Sequence, residues 1–274
     1  LDPRAMERLD TFVEEVDHRK PDCILQLGDF NYATPESQEC MDLWRQYEGA
    51  RYHVLGNHDM DFTTKEESVA FWSMPAPYYS FDQGGSHFVV LDRNNLKTPD
   101  GYVPYARANF YVESQMRAHA DPEQLEWLRD DLRTTRLPTV VFVHQGLGMH
   151  NEPYPTGDAR AAIEGILNQV NREVGRPRVV ACFCGHHHID RYNLKNNIHY
   201  VWINSASYYW VGDEYGRMAP YRDALFTFIT FRDGVIEIEG RTTEWESPTP
   251  HERGYPRADE LNTYISDRKL RFDA

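Results

Sequence analysis

The chain has 274 residues, enough for one large domain or two small ones whose core needs no disulfide or metal to hold it together. Its 41% hydrophobic and 13% aromatic content is ordinary for a globular protein, its four cysteines make no disulfide framework, and no apolar run approaches the roughly 20 residues of a membrane span. The formal net charge of −14 argues against a nucleic-acid-binding surface, because most of the molecule would repel backbone phosphates.

The first part of the chain alternates signals for helices and strands. Asp2 as an N-cap, Pro3 at the first helical position and apolar residues at helical spacing predict a helix at the start. The elements predicted after it are a strand at 21–27, a helix at 34–47, a strand at 51–55, a helix opened by a capping box of Thr63 and Thr64 with Glu66 and Glu67, and a β-hairpin at 78–92.

The second part begins with a polar, tyrosine-bearing stretch, 93–120, which we predict to be a long surface loop. The elements predicted after it are a helix capped by Asp121, a strand at 139–144, a helix at 158–174 and strands at 178–184, 198–206, 225–231 and 235–239. Alternating strands and helices predict an α/β fold with a second, partly antiparallel sheet. We expect residues 1–241 to form one domain and residues 242–274 a tail wrapped on its surface.

Four of the predicted strands end in side chains that can bind a ligand. They are Asp29, the run Asn57-His58-Asp59, His144, and the pair His186 and His188. Each signal alone is weak, because Gly-Asp is usually a turn and a lone histidine after an apolar strand is usually a core residue. Ligands of open α/β sheets bind outside the carboxyl ends of the strands, so the four together indicate a site.

The three adjacent histidines follow directly on a buried strand and Gly185. If the chain stays extended there, residues two apart face the same way. We therefore expect His186 and His188 to point together into the site, and His187 to point elsewhere.

These motifs resemble those of the calcineurin-like metallophosphoesterases. Gly28-Asp29, Gly56 to Asp59, His144 and Gly185 to His188 reproduce four of that family's five motifs in order. The later segment Ile203 to Trp210 is similar to poorly characterised bacterial members. The resemblance implies a four-layer α/β sandwich, in which two mixed sheets pack together with helices outside.

The resemblance also implies roles for individual residues. Asp29 would bridge two divalent or trivalent transition-metal ions (Mn, Fe, Zn or Co), which share a hydroxide and clamp the phosphate. His58 would act as general acid on the leaving oxygen, and His187 would be structural or supporting. The remaining ligands would be Asn57, His144 and His186 on one metal and His188 on the other.

Two departures from the family pattern qualify these roles. No Asp-x-His, the family's first motif, occurs in the chain, and we expect it on an upstream strand within about 20–45 further residues. Some members orient the catalytic histidine with an aspartate three residues after the bridging one, where this chain has Tyr32. Asp59, beside His58, is the candidate that we expect to orient it instead.

The sequence therefore predicts a dinuclear metal-dependent hydrolase of phosphomonoesters or phosphodiesters. The alternative is a non-catalytic metal-binding or scaffold protein with a degenerate site. The expected partner is a small phosphorylated molecule, with a nucleotide as one candidate, rather than a nucleic-acid duplex; the compartment, cytoplasmic or periplasmic, stays open. A base or aryl leaving group could stack on aromatic residues near the strand ends, although ordinary packing would also explain them: Tyr208, Tyr209, Trp210, and Tyr102 or Tyr105.

Overall fold

A computed structural model describes residues 4–149, 159–175 and 177–273. The predicted cap residues Asp2 and Pro3 lie outside these ranges, as does the predicted helix start at 158. The five α-helices of the described residues are α1 (Ala5–Arg19), α2 (Gln38–Trp44), α3 (Lys65–Phe71), α4 (Pro122–Thr134) and α5 (Ala159–Val174).

Seventeen strands lie in the described residues. They are β1 (Cys23–Gln26), β2 (Ala50–His53), β3 (Tyr79–Gln83), β4 (Ser86–Leu91), β5 (Asn95–Thr98), β6 (Gly101–Pro104), β7 (Thr139–Val143), β8 (Val179–Cys184), β9 (Arg191–Lys195), β10 (Ile198–Trp202), β11 (Tyr208–Gly212), β12 (Arg217–Pro220), β13 (Ile229–Arg232), β14 (Val235–Ile238), β15 (Arg241–Thr242), β16 (Tyr264–Ile265) and β17 (Arg268–Arg271).

The largest sheet has six strands in the order β3-β4-β7-β8-β10-β9. Its inner strands β4, β7, β8 and β10 run parallel, and an antiparallel strand closes each edge. Successive residues of a strand face opposite sides. Val140 and Phe142 accordingly join one core, whereas Val141 and Val143 join the other. Both faces of the sheet are thus covered, which explains the unbroken apolar runs of its central strands.

Helices cover one face of this sheet and strands cover the other. Leu128 of α4 and Leu167 of α5 pack on the first face. Against the second face pack Ile24 of β1 and Ile236 of β14, with Val16 of α1 in the same core. This second layer of strands consists of the parallel pair β1-β2 and the antiparallel sheet β13-β14-β17. The prediction of two packed sheet layers flanked by helices is confirmed.

The two predicted helix caps of the middle of the chain are present. Thr64 and Glu67 form a reciprocal capping box at the start of α3, and Asp121 accepts a hydrogen bond from the Gln124 amide at the start of α4. The predicted hairpin turns at Gly84-Gly85 between β3 and β4. These features depend on residues close together in the chain, so the sequence alone can predict them.

The segment 93–120 is not the surface loop that its polarity predicts. It contains the hairpin β5-β6, and Tyr105 and Phe110 form a small core with Met60 and Leu96. Its first polar residues are buried as well, because each has partners inside the protein; they are Arg93, Asn94 and Asn95.

The last segment of the chain also does more than wrap the surface. Its strand β17 pairs with β14 and completes the three-stranded sheet, while β16 pairs with β15. In the described ranges, no helix combines the length and apolar character that crossing a bilayer would require.

A buried ion pair supports the strand that leads into the candidate site. Lys65 Nζ lies 2.5 Å from Asp92 Oδ2 and 2.8 Å from Asn95 Oδ1, and both members of the ion pair are almost completely buried. The other carboxylate oxygen accepts two hydrogen bonds from Asn94, whose amide group also donates to the Leu55 carbonyl. The network thereby holds Leu55, which lies between the end of β2 and Asn57.

We predict that Lys65→Met lowers the free energy of unfolding by about 3–5 kcal/mol, because it leaves the Asp92 carboxylate buried without its cation. Denaturant unfolding measures the loss. The matched control is Lys269→Met, which removes a 2.7 Å ion pair with Glu237 at the surface and should change the free energy of unfolding far less, because water screens exposed charges. Equal losses in the two variants would contradict this account of the network.

Candidate metal centre

Three of the predicted site residues come together at the seam between the two layers of strands. Asp29 follows β1, His144 follows β7, and His186 follows β8. His144 Nε2 lies 3.0 Å from Asp29 Oδ2 and 3.1 Å from His186 Nδ1. The candidate ligand atoms of the three residues all lie within 4.8 Å of one another. Such a group of one carboxylate and two imidazoles is suited to a transition-metal ion.

The hydrogen bond of His144 to the protein backbone determines its tautomer, and so determines that the nitrogen facing this cluster carries no proton in the neutral ring. Its Nδ1 lies 2.6 Å from the Leu27 carbonyl oxygen, which can only accept a hydrogen bond. In a neutral ring the proton therefore sits on Nδ1, and Nε2 presents a lone pair to Asp29 and His186. Lone pairs that converge in this way repel one another unless a proton or a cation lies between them, so the geometry fits a metal.

Asn57 adds an oxygen that the protein itself leaves unsatisfied. Its Oδ1 is buried and has no hydrogen-bond partner among the described residues. A buried amide oxygen without a partner is unusual and costs free energy. The expected role of Asn57 as a metal ligand would account for it.

Close backbone packing explains the two glycines that precede Asp29 and Asn57. Gly28 has a φ of +95°, and a Cβ there would lie 2.3 Å from His144 Nδ1. A Cβ on Gly56 would lie 2.2 Å from the Asp29 amide nitrogen. Both positions therefore require glycine, because any side chain would push the strand ends apart.

The histidine triplet reaches the site by a turn and not by an extended strand. His186 and His188 have φ values of +63° and +50°, so the expectation of an extended chain is wrong there. The His188 ring still lies on the site side, 5.2 Å from the ring of Tyr208, and its Nδ1 is buried without a hydrogen-bond partner in the described ranges. The His187 ring lies beside Gly146. His188 does not belong to the tight cluster of Asp29, His144 and His186.

The aspartate that contacts His58 is not the one expected from the sequence. Asp61 lies 3.0 Å from His58 Nδ1, so Asp61 and not Asp59 orients this ring. Asp59 is buried and accepts hydrogen bonds from the amides of Gly56, Asp29 and Phe30. The reason is the tight helical turn 58–60, which places residue 61 next to residue 58 and turns residue 59 inward.

The surroundings of His58 favour the protonated form of its ring. Burial alone would lower the pKa of His58, but the hydrogen bond to Asp61 and the charges of Asp29 and Asp61 outweigh it and raise the pKa to about 9. Burial would likewise raise the pKa of Asp29, but when no metal is bound a proton on His144 Nε2, together with the charges of His58 and His186, holds the pKa of that carboxyl below its usual range. The His58 amide also donates to Asp29 Oδ1 at 2.8 Å.

The loop after His188 is fixed by the last segment of the chain. Asp190 binds Arg268 through both carboxylate oxygens, at 2.7 and 2.6 Å, and accepts a hydrogen bond from the Ser266 hydroxyl at 2.7 Å. The Asp190 amide donates to Asn262 Oδ1. The sequence carried no signal for this contact, because its partners lie more than 70 residues apart.

Solved structures with the same arrangement of layers provide a comparison of fold. A dimetal phosphatase from Danio rerio has a TM-score of 0.63 at 12% identity, over 99% of this chain and 90% of that one. GAP50, described as the anchor in the inner membrane complex of Plasmodium, has a TM-score of 0.57 at 11% identity, over 100% and 86%. The purple acid phosphatase PPD1 from yellow lupin has a TM-score of 0.53 at 13% identity, over 97% and 49%. Identities this low show likeness of fold alone.

Sequence comparison identifies the family. No curated protein matches the chain. The profile of the calcineurin-like phosphoesterases matches residues 3–190, well over half of the chain, and this range contains every predicted metal ligand. The chain therefore belongs to the calcineurin-like phosphoesterase family, a family of metal-dependent phosphoester hydrolases.

Proposed function

We propose that this protein hydrolyses phosphate esters at a two-metal centre built on Asp29. The observation that carries the proposal is the meeting of Asp29, His144 and His186, with the lone pair of His144 Nε2 directed at the other two. The intact His58–Asp61 pair beside them favours an enzyme over a protein that merely binds metal.

The residues divide into two ligand sets. Asn57, His144 and His186 would hold one cation, His188 would hold the other, and Asp29 would bridge the two. Bound cations supply a nucleophile at neutral pH and positive charge around the phosphoryl oxygens. That local charge would also let an anionic substrate approach a protein whose formal net charge is −14.

His58 would deliver a proton to the leaving oxygen. Its side chain is 46% exposed, so a substrate can reach it, and Asp61 fixes the ring through Nδ1. The free Nε2 is then the atom that would donate. A raised pKa keeps this nitrogen protonated at neutral pH, as a general acid requires.

Removal and replacement of the metal tests the proposed function. A chelator-stripped preparation should lose hydrolysis of nitrophenyl phosphate and bis-nitrophenyl phosphate, and one or more of Mn, Fe, Zn and Co should restore it above the level with Mg. Failure of every added metal to support hydrolysis of either ester would favour the alternative of a metal-binding or scaffold protein.

The three histidines of the triplet should differ in their effect on metal content. His186→Ala and His188→Ala should each lose bound metal and lower turnover by orders of magnitude, because each removes a ligand. His187→Ala, the matched control inside the same loop, should keep most of the metal. Elemental analysis after gel filtration measures the metal per chain. An equal loss of metal from all three variants would contradict this assignment.

Substitution of His58 should have an effect that depends on the leaving group. His58→Asn should bind metal nearly normally but lose roughly 10²–10⁴-fold in turnover on alkyl esters, and much less on nitrophenyl esters, whose leaving oxygen needs little protonation. Asp61→Asn should show the same dependence more weakly. His18→Asn, an exposed histidine at the end of α1, is the control. A loss that is equal on all esters would indicate a structural role for His58.

A further inference from the structure

Two large aromatic side chains are exposed beside the proton donor. Phe62 is 60% exposed and Tyr111 is 68% exposed. Phe62 follows Asp61, which binds His58, and Tyr111 follows Phe110, whose ring lies 5.6 Å from the His58 ring. Each exposed ring is thus one residue away from a direct neighbour of His58.

Tyr32 extends the same aromatic wall. The rings of Tyr32 and Phe62 pack edge to face, with their centroids 4.7 Å apart. Burial raises the pKa of Tyr32 and of Tyr111, the charges of Asp61 and Asp29 raise both further, and Arg217 opposes the rise in both. Tyr32 and Tyr111 thus lie within electrostatic reach of the same two carboxylates, Asp61 and Asp29.

A general acid fixes where the leaving group must lie. Proton transfer needs the leaving oxygen within hydrogen-bond reach of His58, so whatever is attached to that oxygen extends over the residues around His58. The exposed rings connected to His58 by direct contacts are Tyr111, which packs on Phe110, and Phe62, which follows Asp61 and packs on Tyr32. Exposed rings of this kind bind flat π-systems by stacking, and the preference is insensitive to the identity of the ring.

We propose that the substrates are phosphate esters whose leaving group carries a flat aromatic ring, which stacks on the wall formed by Tyr32, Phe62 and Tyr111. The inference rests on the proposed function, since it uses the place of His58 in that reaction. An aryl group and a nucleobase share the required chemistry.

The residues suggested by the sequence for this purpose lie elsewhere. Tyr105 is buried against Phe110, and its hydroxyl accepts a hydrogen bond from the Ala118 amide, so it cannot meet a substrate. The rings of Tyr208 and Tyr209 lie beside His188, the proposed ligand of the second metal, and not beside His58. Trp210 is 44% exposed, and the guanidinium of Arg217 lies over its ring, 5.4 Å from the centroid, so a cation already occupies one face of it.

Two pairs of esters test the effect of an aromatic ring while the chemical reactivity of the leaving oxygen stays the same within each pair. Benzyl phosphate and cyclohexylmethyl phosphate share a primary alcohol and differ in whether the ring is flat. Adenosine 5′-monophosphate and ribose 5-phosphate share the same 5′-oxygen and differ in the base. Each pair is assayed as the monoester and as its methyl diester, with the metal-loaded protein, and kcat/KM is compared within the pair.

We expect kcat/KM to be about 10-fold or more higher for the ring-bearing member, mainly through KM. The double variant Phe62→Leu/Tyr111→Leu should bring the ratio within each pair close to one. Tyr192→Leu, an exposed tyrosine of β9 whose ring stacks on His199, should keep the ratio of the wild type.

The possible results separate failure of the ring preference from failure of the proposed hydrolase activity. A preference in both pairs supports recognition of any flat ring, and a preference in the nucleotide pair alone supports a nucleobase. Hydrolysis of both members at equal kcat/KM, or a preference that survives in the double variant, overturns the inference and leaves the hydrolase intact. No hydrolysis of any ester overturns both.

Discussion

The hydrogen bond from His144 Nδ1 to the Leu27 carbonyl is the interaction on which the candidate site depends. It joins residues 117 positions apart and connects the end of β7, in the six-stranded sheet, to the end of β1, in the second layer. The same bond selects the tautomer of His144 and aims Nε2 at Asp29 and His186. The contact that joins the two layers is thus the same contact that orients His144. The site therefore cannot form before the two layers pack together.

Three of the expected ligands are held in strained backbone conformations. Asp29, His186 and His188 all have φ values between +50° and +63°, a region that costs a residue other than glycine about 1–3 kcal/mol. Asp59 offsets this cost around Asp29, because its buried carboxylate accepts hydrogen bonds from three amides, including that of Asp29 itself. A residue that looked catalytic from its position in the sequence therefore acts as the anchor of the turn.

Sequence reasoning succeeded where the chemistry is local and failed where it is not. The order of strands and helices, the capping box at Thr64 and the convergence of Asp29, His144 and His186 follow from periodicity, turn residues and the edge of a parallel sheet. The burial of 93–120 did not follow, because its polar residues find partners far along the chain. The choice of Asp61 over Asp59 depended on a single tight turn whose geometry the residue types do not reveal.

The contact between Asp190 and Arg268 makes the last strand of the chain part of the site's support. Asp190 stands two residues after His188, so the position of this proposed ligand depends on the position of the Asp190 carboxylate. That carboxylate is almost completely buried, and a buried carboxylate held by both oxygens has little freedom to move. Arg268 in turn begins β17, which is fixed by its pairing with β14. The loop that carries His188, the proposed ligand of the second metal, is therefore braced from the second layer of strands. The two cations would depend on two separate tertiary contacts, and loss of one need not carry away the other.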